Sequence, residues 1–142
     1  MRDFIIIYAI IFCILGVAGY GWADAQVGVL ADVVDVHDGD SILVDAHPWP
    51  GMTLRINVRV RGIDSPEIRG KCEAEKRAAR KARDRMVELV KGGVRLENIT
   101  LGKYAGRVVA DAISETGAVG AILIAEGLAR PYDGGKRDGW CD

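Results

Sequence analysis

The segment MTLRINVRVRGI at residues 52–63 carries the clearest structural signal in the chain. Apolar and polar side chains alternate along it, with Leu54, Ile56, Val58 and Val60 on one side and Arg55, Asn57, Arg59 and Arg61 on the other. A period of two places successive side chains on opposite faces of a β-strand. The segment therefore predicts a half-buried strand with a cationic outer face.

Two further strands are predicted before this segment. Residues 27–36 are apolar and rich in β-branched side chains, and residues 41–46 alternate again. The breaks between the runs are HDGD at 37–40 and HPWPG at 47–51, which are typical turn sequences. Three strands joined by short turns form a meander.

The period changes to that of a helix over residues 72–91. The apolar positions of this helix are Ala78, Ala79, Ala82, Met86, Leu89 and Val90. Two more strands are predicted at 94–100 and 107–114, then a second helix at 118–126 that Gly127 ends. The tail, residues 130–142, is irregular. Five short strands with an inserted helix predict a mainly β protein with helices (α+β), a five-stranded barrel of the OB type.

Composition agrees with one folded domain. The chain has 142 residues, of which 49% are hydrophobic and 27% are charged, and this excludes a disordered tail or a collagen-like fibre. Nineteen basic and twenty acidic residues give a net charge of −1. That balance excludes a strongly basic nucleic-acid coat, so any nucleic-acid chemistry must use local charge.

Residues 1–25 have the pattern of a signal peptide. A short basic start precedes the uncharged run FIIIYAIIFCILGV at 4–17, and Ala23-Asp24-Ala25 forms an A-x-A cleavage site. The alternative is an uncleaved anchor, because 4–22 contains 19 uncharged residues and could just span a bilayer. Either way we expect the working domain, 26–142, outside the cytoplasm, secreted or periplasmic.

Cleavage after residue 25 would leave two cysteines, Cys72 and Cys141. An even pair in an oxidising compartment favours a disulfide, and two free thiols are the alternative.

Side chains suited to phosphodiester chemistry occur at three places, each at a strand end or a turn. Asp40 and Asp64 offer hard oxygen ligands, and no cysteine lies close to them in the sequence to favour zinc. These ligands therefore favour a calcium-type ion. Arg59 and Arg107 can each bind a phosphate through two N–H groups. Glu67 is a further carboxylate that could take a proton from water. A cation, two guanidinium groups and a base together constitute a phosphodiester-hydrolysing site.

Four motifs in order resemble the staphylococcal nuclease (thermonuclease) family. They are DGDS at 38–41, RVRGIDSPE at 59–67, KYAGRVVA at 103–110 and EGLARPY at 126–132. The resemblance covers residues 27–133, nearly the whole chain after the leader. It implies a five-stranded OB barrel and calcium-dependent cleavage of DNA and RNA.

The resemblance also implies roles for individual residues. Calcium would be held by the Asp40 and Asp64 carboxylates and the Ser65 main-chain carbonyl, with Asp38 acting through the outer shell. The catalytic residues would be Arg59 and Arg107, which bind phosphate, and Glu67, the general base. Lys103 and Tyr132 would contact the substrate.

One departure from the family pattern affects the site directly. The chain has an extra Ala105 relative to the commonest KYGR form, and we expect the turn to absorb it.

The leading hypothesis is thus an exported, calcium-dependent nuclease acting on DNA and RNA. We expect a monomer with no stable membrane partner after signal cleavage. Two alternatives stay open: a non-catalytic OB module that binds single-stranded nucleic acid or a protein partner, and an inert envelope domain held by a disulfide.

Overall fold

A computed structural model describes residues 27–141, and the predicted signal peptide lies outside them. The chain begins with an antiparallel meander of β1 (Val29–Asp38), β2 (Ser41–Trp49) and β3 (Met52–Val60). The short strand β4 (Ile63–Asp64) follows, and then helix α1 (Glu73–Val90). These are the three strands and the helix that the sequence predicts.

The second half of the chain completes the barrel. Its elements are β5 (Val94–Leu101), β6 (Arg107–Ser114), β7 (Gly117–Ala118), α2 (Val119–Ala125) and β8 (Arg130–Pro131). β5 pairs antiparallel with both β1 and β6, and β6 pairs in parallel with β3. The last pairing closes the sheet, so the five long strands form a mixed barrel. The predicted OB-type α+β fold is confirmed.

The predicted strand at 52–63 differs from the structure in one respect. It divides at Arg61-Gly62 into β3 and β4, because Gly62 has a φ of 77°, a left-handed conformation that L side chains rarely adopt. β4 then leaves the barrel sheet and pairs with β8. This division turns the segment after Gly62 towards the C-terminal tail.

Apolar side chains of the strands fill the barrel, and α1 packs over it. Ile42, Val44, Val58 and Val60 are almost completely buried, and Met86 of α1 has no exposed surface. The helical stripe predicted from the sequence is buried as expected, except that Ala78 keeps some exposure. A charged residue, Glu75, is also buried on this face.

A disulfide joins the start of α1 to the C-terminal tail. Cys72 and Cys141 are bonded with their Cα atoms 5.9 Å apart, across 69 residues of sequence. Within the described residues, 27–141, no helix is long and apolar enough to cross a membrane.

Removal of this bond should lower stability substantially. In the chain-entropy treatment, closing a loop of 69 residues contributes about 4 kcal/mol, less any native strain. We expect a double variant, Cys72→Ser with Cys141→Ser, to unfold at lower urea concentration than the oxidised protein. Dithiothreitol should shift only the wild-type curve. Equal midpoints for oxidised and reduced wild-type protein would contradict the prediction.

Candidate active site

The turn between β1 and β2 places a carboxylate under α1. The Asp40 backbone N–H donates to Asp38 Oδ1 at 3.2 Å, and the Asp40 carbonyl accepts from the Val60 N–H at 2.8 Å. A Cβ at Gly39 would lie 2.8 Å from the Cβ atoms of both Ala82 and Ser65, so only glycine permits this close approach. Asp40 is consequently 1% exposed.

Asp40 connects three chain segments through its two carboxylate oxygens. Oδ1 accepts from Arg59 Nη1 at 2.6 Å and from the Ser41 hydroxyl at 2.9 Å, and Oδ2 accepts from the Ser65 N–H at 2.9 Å. Burial, followed by the neighbouring charge of Asp38, raises the pKa of Asp40, although Arg59 and the Ser65 N–H act in the opposite direction. The charge of this buried carboxylate is therefore only partly compensated, and a further cation would stabilise it.

Arg59 lies between the two buried carboxylates. Its Nη2 donates to the Ile63 carbonyl at 3.2 Å and lies 3.6 Å from Asp64 Oδ1. The Arg59 side chain is only 16% exposed. The structure thus brings Asp40, Arg59 and Asp64 together.

Asp64 has an oxygen suited to a metal ion. Its Oδ2 accepts from the Trp140 indole N–H at 3.2 Å. Its buried Oδ1 lies near two guanidinium groups, yet no donor among residues 27–141 is aligned for a hydrogen bond to it. Asp40, Asp64 and the adjacent Ser65 provide hard oxygen atoms, and Asp64 Oδ1 accepts no hydrogen bond from residues 27–141. Oxygen ligands of this kind suit a calcium-type ion.

A different group of side chains has metal-ligand spacing but does not fit calcium. Cys72, Glu75 and Cys141 place one ligand atom each within 4.8 Å of one another. The two sulfur atoms form the disulfide and are not thiolates. This group is therefore structural.

Glu67 stands at the edge of the site, and its carboxylate is paired. Its side chain is 54% exposed, and Oε1 accepts from Arg137 Nη1 at 2.6 Å. Arg137 Nε also lies 3.0 Å from Asp64 Oδ1. Arg137 was not predicted, because its glycine-rich surroundings have no periodic pattern and only the disulfide indicates that the tail returns to the barrel.

Glu75 fixes the backbone that carries Glu67. Its carboxylate accepts from the N–H groups of Lys71 at 2.9 Å and Glu67 at 3.4 Å. Its own N–H donates to Sγ of Cys72, the residue that caps α1. Glu75 is 8% exposed, so these bonds are sheltered from water.

Lys103 lies on the turn before β6 and Arg107 begins that strand, and neither contacts the buried acids. The parallel pairing aligns Arg107 with Asn57, two residues before Arg59, which puts the two arginines on one face of the sheet. The Arg107 guanidinium is 5.9 Å and the Lys103 ammonium 5.7 Å from the centre of the Tyr104 ring. Both cationic groups therefore lie near the exposed Tyr104 ring and make no ion pair with the buried carboxylates.

The extra residue of this turn is accommodated locally. The Gly102 N–H donates to the Arg107 carbonyl at 2.9 Å, and the Arg107 N–H donates to the Tyr104 carbonyl at 3.3 Å. Gly106 has a φ of 74°. The chain closes around Ala105 without disturbing the β3–β6 register.

Tyr132 is half-buried beside the tail. Its N–H donates to the Gly62 carbonyl at 2.9 Å, its hydroxyl donates to the Gly135 carbonyl at 2.9 Å, and the Arg137 guanidinium is 5.8 Å from its ring centre. A cavity of about 420 Å³ opens nearby, and its lining includes Asp64, Glu67 and Arg137. A ligand in this cavity would meet three of the residues predicted for the ion and the base, namely Asp64, Ser65 and Glu67.

The family model described as "Staphylococcal nuclease homologue" matches residues 57–138 of the chain. This range contains Arg59, Asp64, Glu67 and Arg107, and it ends in the tail. A search of curated proteins found no match.

The hydrogen bonds that Glu75 accepts from Lys71 and Glu67 can be tested by substitution. Glu75→Ala removes the acceptor of two sheltered N–H groups and should lower the free energy of unfolding by roughly 2–4 kcal/mol. Amide hydrogen exchange at Glu67 and Lys71 should accelerate. The matched control is Glu73→Ala, in the same helical turn, whose exposed carboxylate pairs with Lys76 and should matter little. Equal stability of the two variants would contradict the assigned role.

Proposed function

The chain belongs to the staphylococcal nuclease homologue family, and on that premise we propose that it is a calcium-dependent nuclease that hydrolyses phosphodiester bonds in DNA and RNA. The observation that supports this most strongly is that Arg59 contacts both Asp40 and Asp64, while Glu67 is linked to Asp64 through Arg137. These four side chains come from separate turns and strands, and their types are those that phosphodiester hydrolysis requires.

In this proposal the ion is held by Asp40, Asp64 and the Ser65 carbonyl, and Asp38 acts through the outer shell. The chemistry that calcium supplies when bound is neutralisation of charge on the phosphoryl oxygens. Asp64 Oδ1, which accepts no hydrogen bond from residues 27–141, and the raised pKa of Asp40 support a cation at this place.

The chain's own residues have separate tasks. Glu67 takes a proton from the attacking water at its carboxylate, which is the more exposed of the acids. Arg59, held by Asp40 and the Ile63 carbonyl, presents its guanidinium to the phosphate with little loss of side-chain entropy. Arg107 binds the phosphate from the same face of the sheet, and Lys103 and Tyr132 contact neighbouring parts of the substrate.

We also propose that the protein is exported and acts outside the cytoplasm as a monomer. The Cys72–Cys141 disulfide supports this, because such bonds persist in oxidising compartments.

The second candidate is a non-catalytic OB module that binds single-stranded nucleic acid or a protein partner. The ion pair between Arg137 and Glu67 favours it, because the carboxylate oxygen that would receive the proton already accepts a hydrogen bond from a guanidinium. Cleavage assays on plasmid and RNA with calcium, and again with chelator, separate the two candidates.

Substitution of the base should abolish most of the activity and leave the fold intact. We expect Glu67→Gln to reduce the cleavage rate by about 10²–10³, because the amide cannot accept a proton from water. Glu115→Gln, an exposed acid on the turn after β6, is the matched control and should cleave normally. Near-normal cleavage by the Glu67→Gln variant would exclude the proposed mechanism.

Calcium binding can be measured without any reaction. Titration calorimetry of the wild-type protein should detect calcium binding, and Asp64→Asn should abolish it because one of the two proposed carboxylate ligands is lost. Magnesium should substitute poorly, since it demands a tighter octahedron. Full cleavage in the presence of chelator would refute the metal requirement.

A further inference from the structure

The C-terminal loop, residues 132–141, is fastened at both of its ends. At the start, β8 pairs with β4, and the Tyr132 N–H donates to the Gly62 carbonyl. At the end, Cys141 is bonded to Cys72. The loop therefore runs from one side of the candidate site to the other and cannot leave it while the disulfide is intact.

Trp140 and Arg130 hold the loop between these points. The Arg130 guanidinium lies 3.8 Å from the centre of the Trp140 ring, and its Nη1 donates to the Gly139 carbonyl at 2.8 Å. The Trp140 indole N–H donates to Asp64 Oδ2. Cation–π contact at this distance stabilises the ring's orientation, and the loop is thereby attached to a carboxylate of the site.

Arg137 uses only part of its donor capacity within the protein. Nη1 donates one hydrogen bond to Glu67, and Nε approaches Asp64. A guanidinium has five N–H groups, so the second N–H of Nη1 and both of Nη2 have no acceptor among residues 27–141. The side chain is 40% exposed, against 16% for Arg59. The two carboxylates thus fix the guanidinium and leave three N–H groups available.

We infer that Arg137 is a third phosphate-binding residue, carried by the C-terminal loop, which contacts the substrate backbone beside Asp64 and Glu67. This inference rests on the proposed function, since it assumes a nucleic-acid substrate at this site. The three N–H groups that have no acceptor among residues 27–141 remain able to donate to phosphate oxygens, which a guanidinium can bind through two parallel hydrogen bonds. The disulfide fixes the loop before substrate arrives, which reduces the entropy lost on binding.

The test compares substitutions of two adjacent cationic residues, Arg137 and Lys136, in a binding assay without cleavage. Affinity for a fluorescently labelled single-stranded oligodeoxynucleotide is measured in chelator, where the proposed cleavage cannot occur. Arg137→Gln should weaken binding about tenfold or more, because a charge-assisted contact is lost. Lys136→Gln removes the same charge from the same exposed loop and should weaken binding only about twofold, because salt screens a cation that makes no contact. Arg137→Lys, which keeps the charge but not the fork, should fall between them.

A second readout depends on the disulfide. Reduction releases Cys141, so the oligonucleotide affinity of the wild-type protein should fall, and the difference between wild type and Arg137→Gln should largely disappear in reduced protein.

The outcomes separate the inference from the proposed function. Equal affinities of Arg137→Gln and Lys136→Gln would overturn the inference. Wild-type affinity of Arg137→Lys would also overturn it and leave Arg137 as a counter-ion of Asp64 and Glu67. Absence of oligonucleotide binding by the wild-type protein would overturn it as well. Binding that depends on Arg137, without cleavage in calcium, would uphold the inference and refute the catalytic proposal.

Discussion

The site depends on the contacts of the buried Asp40 carboxylate. It is almost fully buried, and its two oxygens accept from Arg59 on β3, from Ser41 on β2 and from the Ser65 backbone. Removing a charge from water is costly unless it is paired and hydrogen-bonded, so these partners cannot move independently. The β1–β2 turn, the end of β3 and the segment after β4 are held in one arrangement because they share this anion.

The same constraint explains why glycine occupies position 39. The turn must bring Asp40 against Ser65 while α1 lies above it, and a Cβ at Gly39 would collide with both Ala82 and Ser65. The sequence DGD therefore has a packing requirement as well as a chemical one. From the sequence alone, the motif is equally typical of an exposed acidic turn.

The sequence allows most of the fold to be predicted because its signals are local. The alternation in β3 and the helical stripe of α1 each follow from the periodicity of one segment. The pairing of β4 with β8 and the position of Arg137 depend on contacts across tens of residues, and no local pattern encodes them. Glu75 illustrates a third case, since an acid in the first turn of a helix predicts an exposed charge favourable to the helix dipole. Its burial beneath the Glu67–Lys71 loop follows from tertiary structure alone.

Charge balance bears on how the loop and a metal ion can share the site. The acids that face it are Asp38, Asp40, Asp64 and Glu67, and the guanidinium groups among them are Arg59 and Arg137. With all of them ionised, the acids exceed the arginines by two charges, which is the charge of one calcium ion. A divalent cation in the proposed site would therefore balance the remaining charge, and the phosphate of the proposed substrate would then meet a site without net negative charge. If Arg137 were absent, the same ion would leave one acid uncompensated, and that acid would repel the substrate. The covalent attachment of the loop at Cys141 thus acts on the electrostatics of the site as well as on the stability of the fold.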